Sequence, residues 1–598
     1  MKRLDLIAIA GCFSLLAAPA VHAQTPIVDD ARLLAAGKGA DDWISYGNGY
    51  GNQSFSPLDS INTKTIGKLT PRWIYQHGGK GSFQARPLVA NGNMYVTLPD
   101  NDVVALAADT GKLLWRYKHT SRPEHGSGGT GGPANRGAAL GYGYVYEATN
   151  DGRLIALDQT TGKISWEALV AQPVPEDLTG LNDAEQKTMA ANVDKLPVKM
   201  APLVYNGMVI VGVTSAGYGI YYNIFGGVRE GKAPPSTTHL GKRGFVAAYD
   251  AKTGKELWRW HSTRGEDWSG DVTAVTKDGE KLPRNIEEEK LALAKHKDTW
   301  RIGGTSIWST PSLDPELGLI YVGTGNASPN DVPDLRPGDN LFANSLVAVD
   351  VRTGSTKWHY QQVPRDLWGY DVASTSVLFD VNHEGASIPA VGVAGKTGWF
   401  YVHDRRDGRL LYRSEPFVPQ SNMFKPPTPE GVIAAPGSWG GASWSPVSYD
   451  PNVGLVFIAG IHKPTKYRTE VGEGPDGPVT FILTETAKGE SIWGTLSAID
   501  TRASGKLRWQ IKTDQPLIGG ILATAGGLVF MGESDGHFTA FDAKDGNRLW
   551  KFNTGAGINA PPVSYRVGDT QFIAVAAGGH GLLDTPTGGA LIAFSLHD

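Results

Sequence analysis

The feature that most constrains this chain is a repeat that ends in an aromatic residue. An apolar pair leads into Asp; two residues follow, then Thr-Gly or Asp-Gly, a polar residue, two more, and Trp. The repeat reads ALDQTTGKISW at 156–166, AYDAKTGKELW at 248–258, AVDVRTGSTKW at 348–358 and AFDAKDGNRLW at 540–550. ALAADTGKLLW (105–115) has Ala107 in the Asp position, AIDTRASGKLRW (498–509) carries one extra residue, and VHDRRDGRLLY (402–412) ends in Tyr, which makes seven copies. Each copy reads as two strands around a turn. The Asp carboxylate accepts backbone N–H groups, the Gly takes a positive φ, and the closing Trp is suited to packing between neighbouring sheets. Further strands precede several copies, as in PLVYNGMVIVGV (202–213), so each unit is a four-stranded antiparallel meander.

One such unit cannot bury both of its faces, so units recurring every few tens of residues must stack. The expected fold is all-β: an eight-bladed β-propeller with Trp-docking repeats and long inserted loops, one blade closed by pairing N- and C-terminal segments. A seven-bladed ring is the competing count. The 76 Gly, 17 Trp and 21 Tyr, with only 19% charged residues, suit many short strands joined by glycine turns. Four segments break the rhythm. Residues 176–199 and 277–297 read as polar helices, and 221–242 and 462–488 as long loops placed to wall a central funnel.

Residues 1–23 read as a secretory signal: Lys2 and Arg3, an apolar run, and Val21-His22-Ala23 before Gln24. Residues 24–598 are then a single propeller domain, expected in the periplasm. Ile9-Ala10-Gly11-Cys12 also fits a lipobox, but the apolar run continues past Cys12, which favours a cleaved signal. Cys12 is the only cysteine, so a mature chain has no disulfide, no thiolate metal site and no Cys-x-x-Cys-His haem attachment. Net charge is −4 with no basic run, which argues against nucleic acid as a partner.

Beyond the repeat, ADDWISYGNGYGNQSFSPLDSINTKTIGKLTPRWIY (40–75) and AVAAGGHGLLDTPTGGALIAFSL (574–596) make the chain resemble the quinoprotein alcohol dehydrogenases. These are eight-bladed enzymes that use pyrroloquinoline quinone (PQQ) with a metal ion. The closing stretch is most similar to the glucose-dehydrogenase branch. The resemblance implies a set of site residues. In GSFQARPLV, Gln84 stands where relatives have Glu against the quinone. In ANRGAAL, Arg136 binds a PQQ carboxylate, as a guanidinium does well. Thr214 of VGVTSAGYG donates a hydroxyl to the cofactor, and Trp308 of GGTSIWST lies flat under the quinone. Asn326 of YVGTGNASPN is a metal ligand through its amide oxygen, a donor that suits Ca²⁺ or a lanthanide. Lys396 of VAGKTGWFYV supports negative charge on the quinone oxygens.

Three departures from the family pattern bear on activity. Thr130 and Gly131 replace an adjacent cysteine pair, which the glucose-dehydrogenase branch also lacks. Gly217 stands where a metal-binding Glu is expected. In PRDLWGYDVAST (364–375), Gly369 takes the position of the usual catalytic Asp, and Asp371 lies two residues on. On a strand those two positions point the same way, so Asp371 is the expected base and a metal ligand, with Asp366 structural. The implied reaction is oxidation of an alcohol to a ketone or aldehyde by hydride transfer to PQQ, with electrons passed to a separate cytochrome c or quinone. The vacancy at Gly369 points to a bulky secondary or cyclic alcohol, or a sugar or polyol. Two other readings compete: a non-enzymatic envelope scaffold, and a PQQ-binding sensor without turnover.

Overall fold

The structure, a computed structural model, describes residues 26–39, 41–79, 81–121, 134–170, 197–214, 243–301, 303–474, 477–580 and 585–597. Several expectations fall outside these residues: the signal and Cys12, the Thr130–Gly131 step, Gly217, the loop 221–242 and nearly all of 176–199.

Among the described residues, eight of the sheets contain a four-strand antiparallel meander, and the one at 521–553 also carries Phe55–Ser56 as a parallel fifth strand. In chain order they occupy 88–117, 139–169, 203–261, 312–361, 377–413, 448–513, 521–553 and 563–596. The last takes its outermost strand from the other end of the chain: Leu69–Gln76 pairs with Ala590–Leu596. The inner strands are buried along their whole length, as at Met208–Gly212, because both faces meet neighbouring sheets. The outermost strands alternate, as at Lys506–Thr513, because one face meets water.

The repeat explains how one sheet is fixed to the next. Asp250 Oδ1 accepts the Lys252 and Thr253 amides, and the Thr253 hydroxyl adds a third donor. These donors hold its carboxyl below the usual range, the hydroxyl most strongly. Each closing Trp pairs with a small residue before a register shift, as Ala248 with Trp258. Its indole N–H then reaches a carbonyl in the turn of the next sheet. The series runs Trp73 to Ala108, Trp115 to Gln159, Trp166 to Ala251, Trp258 to Val351 and Trp358 to Arg405. It continues with the Tyr412 hydroxyl to Thr501, Trp509 to Ala543 and Trp550 to Leu69, which returns it to the sheet where it began.

The turn glycine is needed twice over. Gly354 has φ +70°, and a Cβ there would lie 2.6 Å from Trp258 Cε3. Gly354→Ala is expected to lower stability by about 2–4 kcal/mol, from left-handed strain plus overpacking. Gly385→Ala, at φ +81° with nothing within 4 Å, carries strain alone. Thermal unfolding of the two variants checks this; equal shifts would show that the indole contact contributes nothing.

Two expectations are corrected. Residues 462–488 are not a loop: Thr465–Gly474 and Gly477–Thr486 form a hairpin, joined by Val432–Ala434. Tyr467, Thr469 and Val471 are separated by the charged Arg468 and Glu470, and Val479–Leu483 (VTFIL) is a short run rich in apolar and β-branched residues. That is a strand signal, with Val479 and Phe481 packed on Val332 and Leu335. Within 277–297 only Ile286–Leu293 is α-helical, started by Asn285, whose side chain accepts the Glu288 amide.

Candidate active site

The site is built on a ladder of backbone hydrogen bonds that links the segments leading into the sheets. Arg86 N donates to Arg136 O, Arg136 N to Lys199 O, Thr214 N to Pro197 O and Ile307 N to Val213 O. The ladder continues from Gly325 N to Ser306 O, Val372 N to Thr324 O, Lys396 N to Asp371 O and Ala442 N to Gly395 O, all at 2.8–3.1 Å. Gln84, Arg136, Thr214, Trp308, Asn326, Asp371 and Lys396 all lie on this ladder or within two residues of it. Residues distant in sequence are brought together because each sheet contributes the same two short segments.

Five of the seven are linked directly. Arg136 Nη1 donates to Trp308 O at 2.9 Å. Lys396 Nζ lies 5.8 Å from the Trp308 ring centroid and 2.5 Å from Asp371 Oδ2. The Asn326 amide donates to Asp371 Oδ1. Asp371 is fully buried; burial pushes its carboxyl above the usual range, opposed by Lys396 and the Asn326 amide. Gln84 and Thr214 are buried on the same ladder, and among the described residues neither Gln84 Oε1 nor Thr214 Oγ1 has a hydrogen-bond partner.

The geometry of 364–375 corrects the strand argument. These residues form no strand; Asp366 organises them as a turn. Its Oδ1 accepts the Trp368 and Gly369 amides, and its Oδ2 accepts the Tyr370 amide and Asn344 Nδ2. Gly369 sits at φ +78°, and a Cβ there would face Ser438 Cβ at 3.3 Å. Asp371 instead faces Asn326 and Lys396. The two positions therefore do not share a direction, and Gly369 is closely packed on Ser438 rather than turned toward Asp371.

Sequence reasoning missed several groups. The Arg136 guanidinium lies 4.5 Å from the Trp444 ring centroid. Burial brings Arg136 down to about 10. Lys199 is brought down to about 7, by burial and then by Arg136. His580 is brought down to about 4, by burial, then Arg136, Lys199 and Lys463. Trp444, Lys199, His580 and Lys463 come from three different sheets and form no local motif; only His580 lay in a stretch, AAGGHG, that the family resemblance singled out.

The donor set fits a flat polyanion. Arg136 Nε, Trp444 Nε1 and both polar side-chain atoms of Asn559, on the lead-in to the last sheet, are buried without partners, like Gln84 Oε1 and Thr214 Oγ1. Arg136 Nε, Trp444 Nε1, Asn559 Nδ2 and Thr214 Oγ1 are donors that could meet an anion, whereas Gln84 Oε1 and Asn559 Oδ1 accept; buried polar atoms and clustered cations without partners are costly unless a ligand completes them. For a metal, Asp371 and Asn326 offer hard oxygen donors. Among the described residues, no group of three or more His, Cys, Asp or Glu side chains stands close enough to hold an ion.

The comparisons agree with this geometry. The family model described as "PQQ: Glucose/ethanol/alcohol dehydrogenase, beta-propeller domain" matches residues 43–423 and 480–573. The chain is 33% identical to quinohemoprotein alcohol dehydrogenase ADH-IIG of Pseudomonas putida, over 98% of this chain and 79% of that protein. It is 30% identical to the quinoprotein alcohol dehydrogenase PedH of Pseudomonas putida, over 96% and 92%. The solved quinohemoprotein alcohol dehydrogenase from Comamonas testosteroni superposes with TM-score 0.73 at 30% identity, covering 95% of this chain and 84% of that one. A europium-containing methanol dehydrogenase does so with TM-score 0.75 at 26% identity, covering 95% and 100%. An all-β propeller matched along nearly its whole length by such relatives, this chain belongs to the PQQ-dependent quinoprotein alcohol dehydrogenase family.

Proposed function

We propose that the protein oxidises a bulky secondary or cyclic alcohol, or a sugar or polyol, to the carbonyl compound, and passes the electrons to a separate cytochrome c or membrane quinone. The observation that carries this reading is the linked set Arg136–Trp308–Lys396–Asp371–Asn326 inside a well of unsatisfied donors and excess positive charge. The eight meanders, closed by the aromatic series, are read as eight blades of one domain spanning 24–598. Residues 1–23 are read as a signal that sends it to the periplasm.

PQQ, when bound, supplies the two-electron oxidant that takes the carbinol hydrogen with its electron pair. Arg136 and Lys199 hold its carboxylates, Gln84, Thr214 and Asn559 complete its polar edge, and Trp308 supports its plane. Asn326 and Asp371 hold a Ca²⁺ or lanthanide ion. Asp371 is also the carboxylate placed to take the alcohol's hydroxyl proton. Lys396 sets the charge of that carboxylate and stabilises negative charge beside Trp308. The lack of a side chain at Gly369, where the family resemblance expects Asp, is what favours a substrate larger than a small primary alcohol.

Reconstitution tests the reading. Purified protein given PQQ with Ca²⁺ or a lanthanide is expected to show the bound-quinone absorbance band and to reduce an artificial electron-accepting dye with secondary alcohols. Binding without turnover would instead mark a sensor, and no binding a scaffold.

The charge in the well sets a pH dependence. A bound trianion favours the ammonium form of Lys199 and raises its pKa above the ligand-free value of about 7. Binding therefore takes up a proton above that pH. PQQ affinity is expected to be full below pH 7 and to fall above it, by up to about tenfold per unit. Quenching of tryptophan fluorescence between pH 6 and 9 measures it. Lys199→Met should flatten the profile, and a flat wild-type profile would remove Lys199 from cofactor binding.

A further inference from the structure

Lys463 is a half-buried cation with no acid beside it among the described residues. It follows the strand Leu455–His462, a place in its sheet like that of Lys396, which follows Ala386–Ala394. Its one side-chain partner is the Trp439 ring, with Nζ 5.5 Å from the centroid. Burial alone accounts for its lowered pKa. An ammonium withdrawn from water without a carboxylate is costly, and an indole face offsets only part of that cost.

Its surroundings place it at the reaction centre. Gly437 N donates to Lys463 O, so Lys463 is tied to the loop 436–441. That loop packs on the segments that carry Asp371 and Lys396. Tyr370 OH donates to Pro436 O, and Ser438 packs closely on Gly369. Gly441 packs against the Lys396 carbonyl so closely that a Cβ would sit 2.6 Å from it. On its other side, the Lys463 charge is felt by His580.

We propose that Lys463, with Trp439 and Ser438, forms a subsite for a carboxylate carried by the alcohol substrate, so that the preferred substrates are hydroxy acids. The inference rests on the PQQ-dependent reading above and names the substrate class for that same site. Burial separates this subsite from the cofactor's own. Gln84, Thr214, Lys199 and Asn559 are almost wholly buried, whereas Ser438, Trp439 and Lys463 are half-exposed. The cofactor's carboxylates have Arg136 and Lys199 in the inner layer. The outer, half-exposed layer is the one an entering substrate meets. Trp439 gives an apolar wall for the ring or chain that joins carboxylate to carbinol.

The test uses enzyme loaded with PQQ and Ca²⁺ and pairs of substrates that differ only in charge. Mandelate and 4-hydroxycyclohexanecarboxylate are each compared with their methyl esters in the dye-reduction assay. Wild-type enzyme is expected to favour the acids by about 10–100-fold in kcat/KM, the range of a charge-assisted hydrogen bond. Lys463→Met should abolish that preference through KM, and Lys463→Arg should keep part of it. PQQ binding to the cofactor-free protein, followed by fluorescence quenching, should be unchanged in both variants. Preference for the esters, or equal rates, overturns the proposal whether or not a variant folds. So does a Lys463→Met protein that loses PQQ affinity while keeping the acid preference, since the ammonium then serves the cofactor. If wild-type protein binds no PQQ, or turns over neither class, the enzymatic reading itself fails and this inference with it.

Discussion

Asp371→Asn is expected to lower kcat by about 10²–10⁴-fold, the usual worth of a positioned general base, while the protein still binds PQQ. Asparagine has the same shape, and its Oδ1 can still accept the Asn326 amide. What is lost is the charge and the proton acceptor, together with the 2.5 Å ion pair to Lys396. The paired change matters because Lys396 is left without its carboxylate, which can cost about 3–5 kcal/mol when the pair is buried. Two readouts separate the effects. Fluorescence quenching by PQQ reports whether the well survives, and single-turnover kinetics report the chemistry. A variant that binds PQQ with turnover close to wild type would remove Asp371 from the role of base. Asp366→Asn serves as the contrast. Asp366 accepts three backbone amides and Asn344. Its loss is expected to loosen the turn and lower stability, with activity falling in step.

The contrast between these two acids shows what the sequence can and cannot convey. The Asp–Gly–Trp repeat was legible because each of its parts acts locally or on the adjacent sheet: the carboxylate on its own turn, the glycine under an incoming indole, the indole on the next turn. The hairpin Thr465–Thr486 was missed although its alternation is present, because charged residues such as Lys466, Arg468 and Glu470 hid a period of two within a polar stretch. The relation of Gly369 to Asp371 was misjudged for a different reason. Asp366 gathers the backbone amides into a turn, Gly369 enters the left-handed region, and the alternation of a strand no longer applies. Lys199, Trp444 and Lys463 have no signature at all, and His580 only the stretch AAGGHG. They come from three sheets far apart in sequence, so no local pattern links them.

That ladder makes Arg136 the most informative single position in the well. Its guanidinium is largely withdrawn from water against Trp444, with Nη1 on Trp308 O and, among the described residues, no carboxylate beside it. Burial is the main influence on it, and the Tyr46 phenol opposes only part of that effect. In the cofactor-free protein such a cation is a liability, since replacing an uncompensated buried charge by a hydrophobic group is often neutral or stabilising by about 1–4 kcal/mol. In the loaded protein it is the partner of an anion, and removing one member of a buried charge pair costs about 2–5 kcal/mol. Arg136→Leu is therefore expected to raise the Tm of the cofactor-free protein, or leave it unchanged, while weakening PQQ binding by about 30–5000-fold. Opposite signs in the two measurements are what a ligand-binding arginine produces and a structural one does not. A fall in Tm with PQQ affinity intact would mean that Arg136 braces Trp308 and Trp444 for packing, and that the polyanion is held by Lys199 and its neighbours.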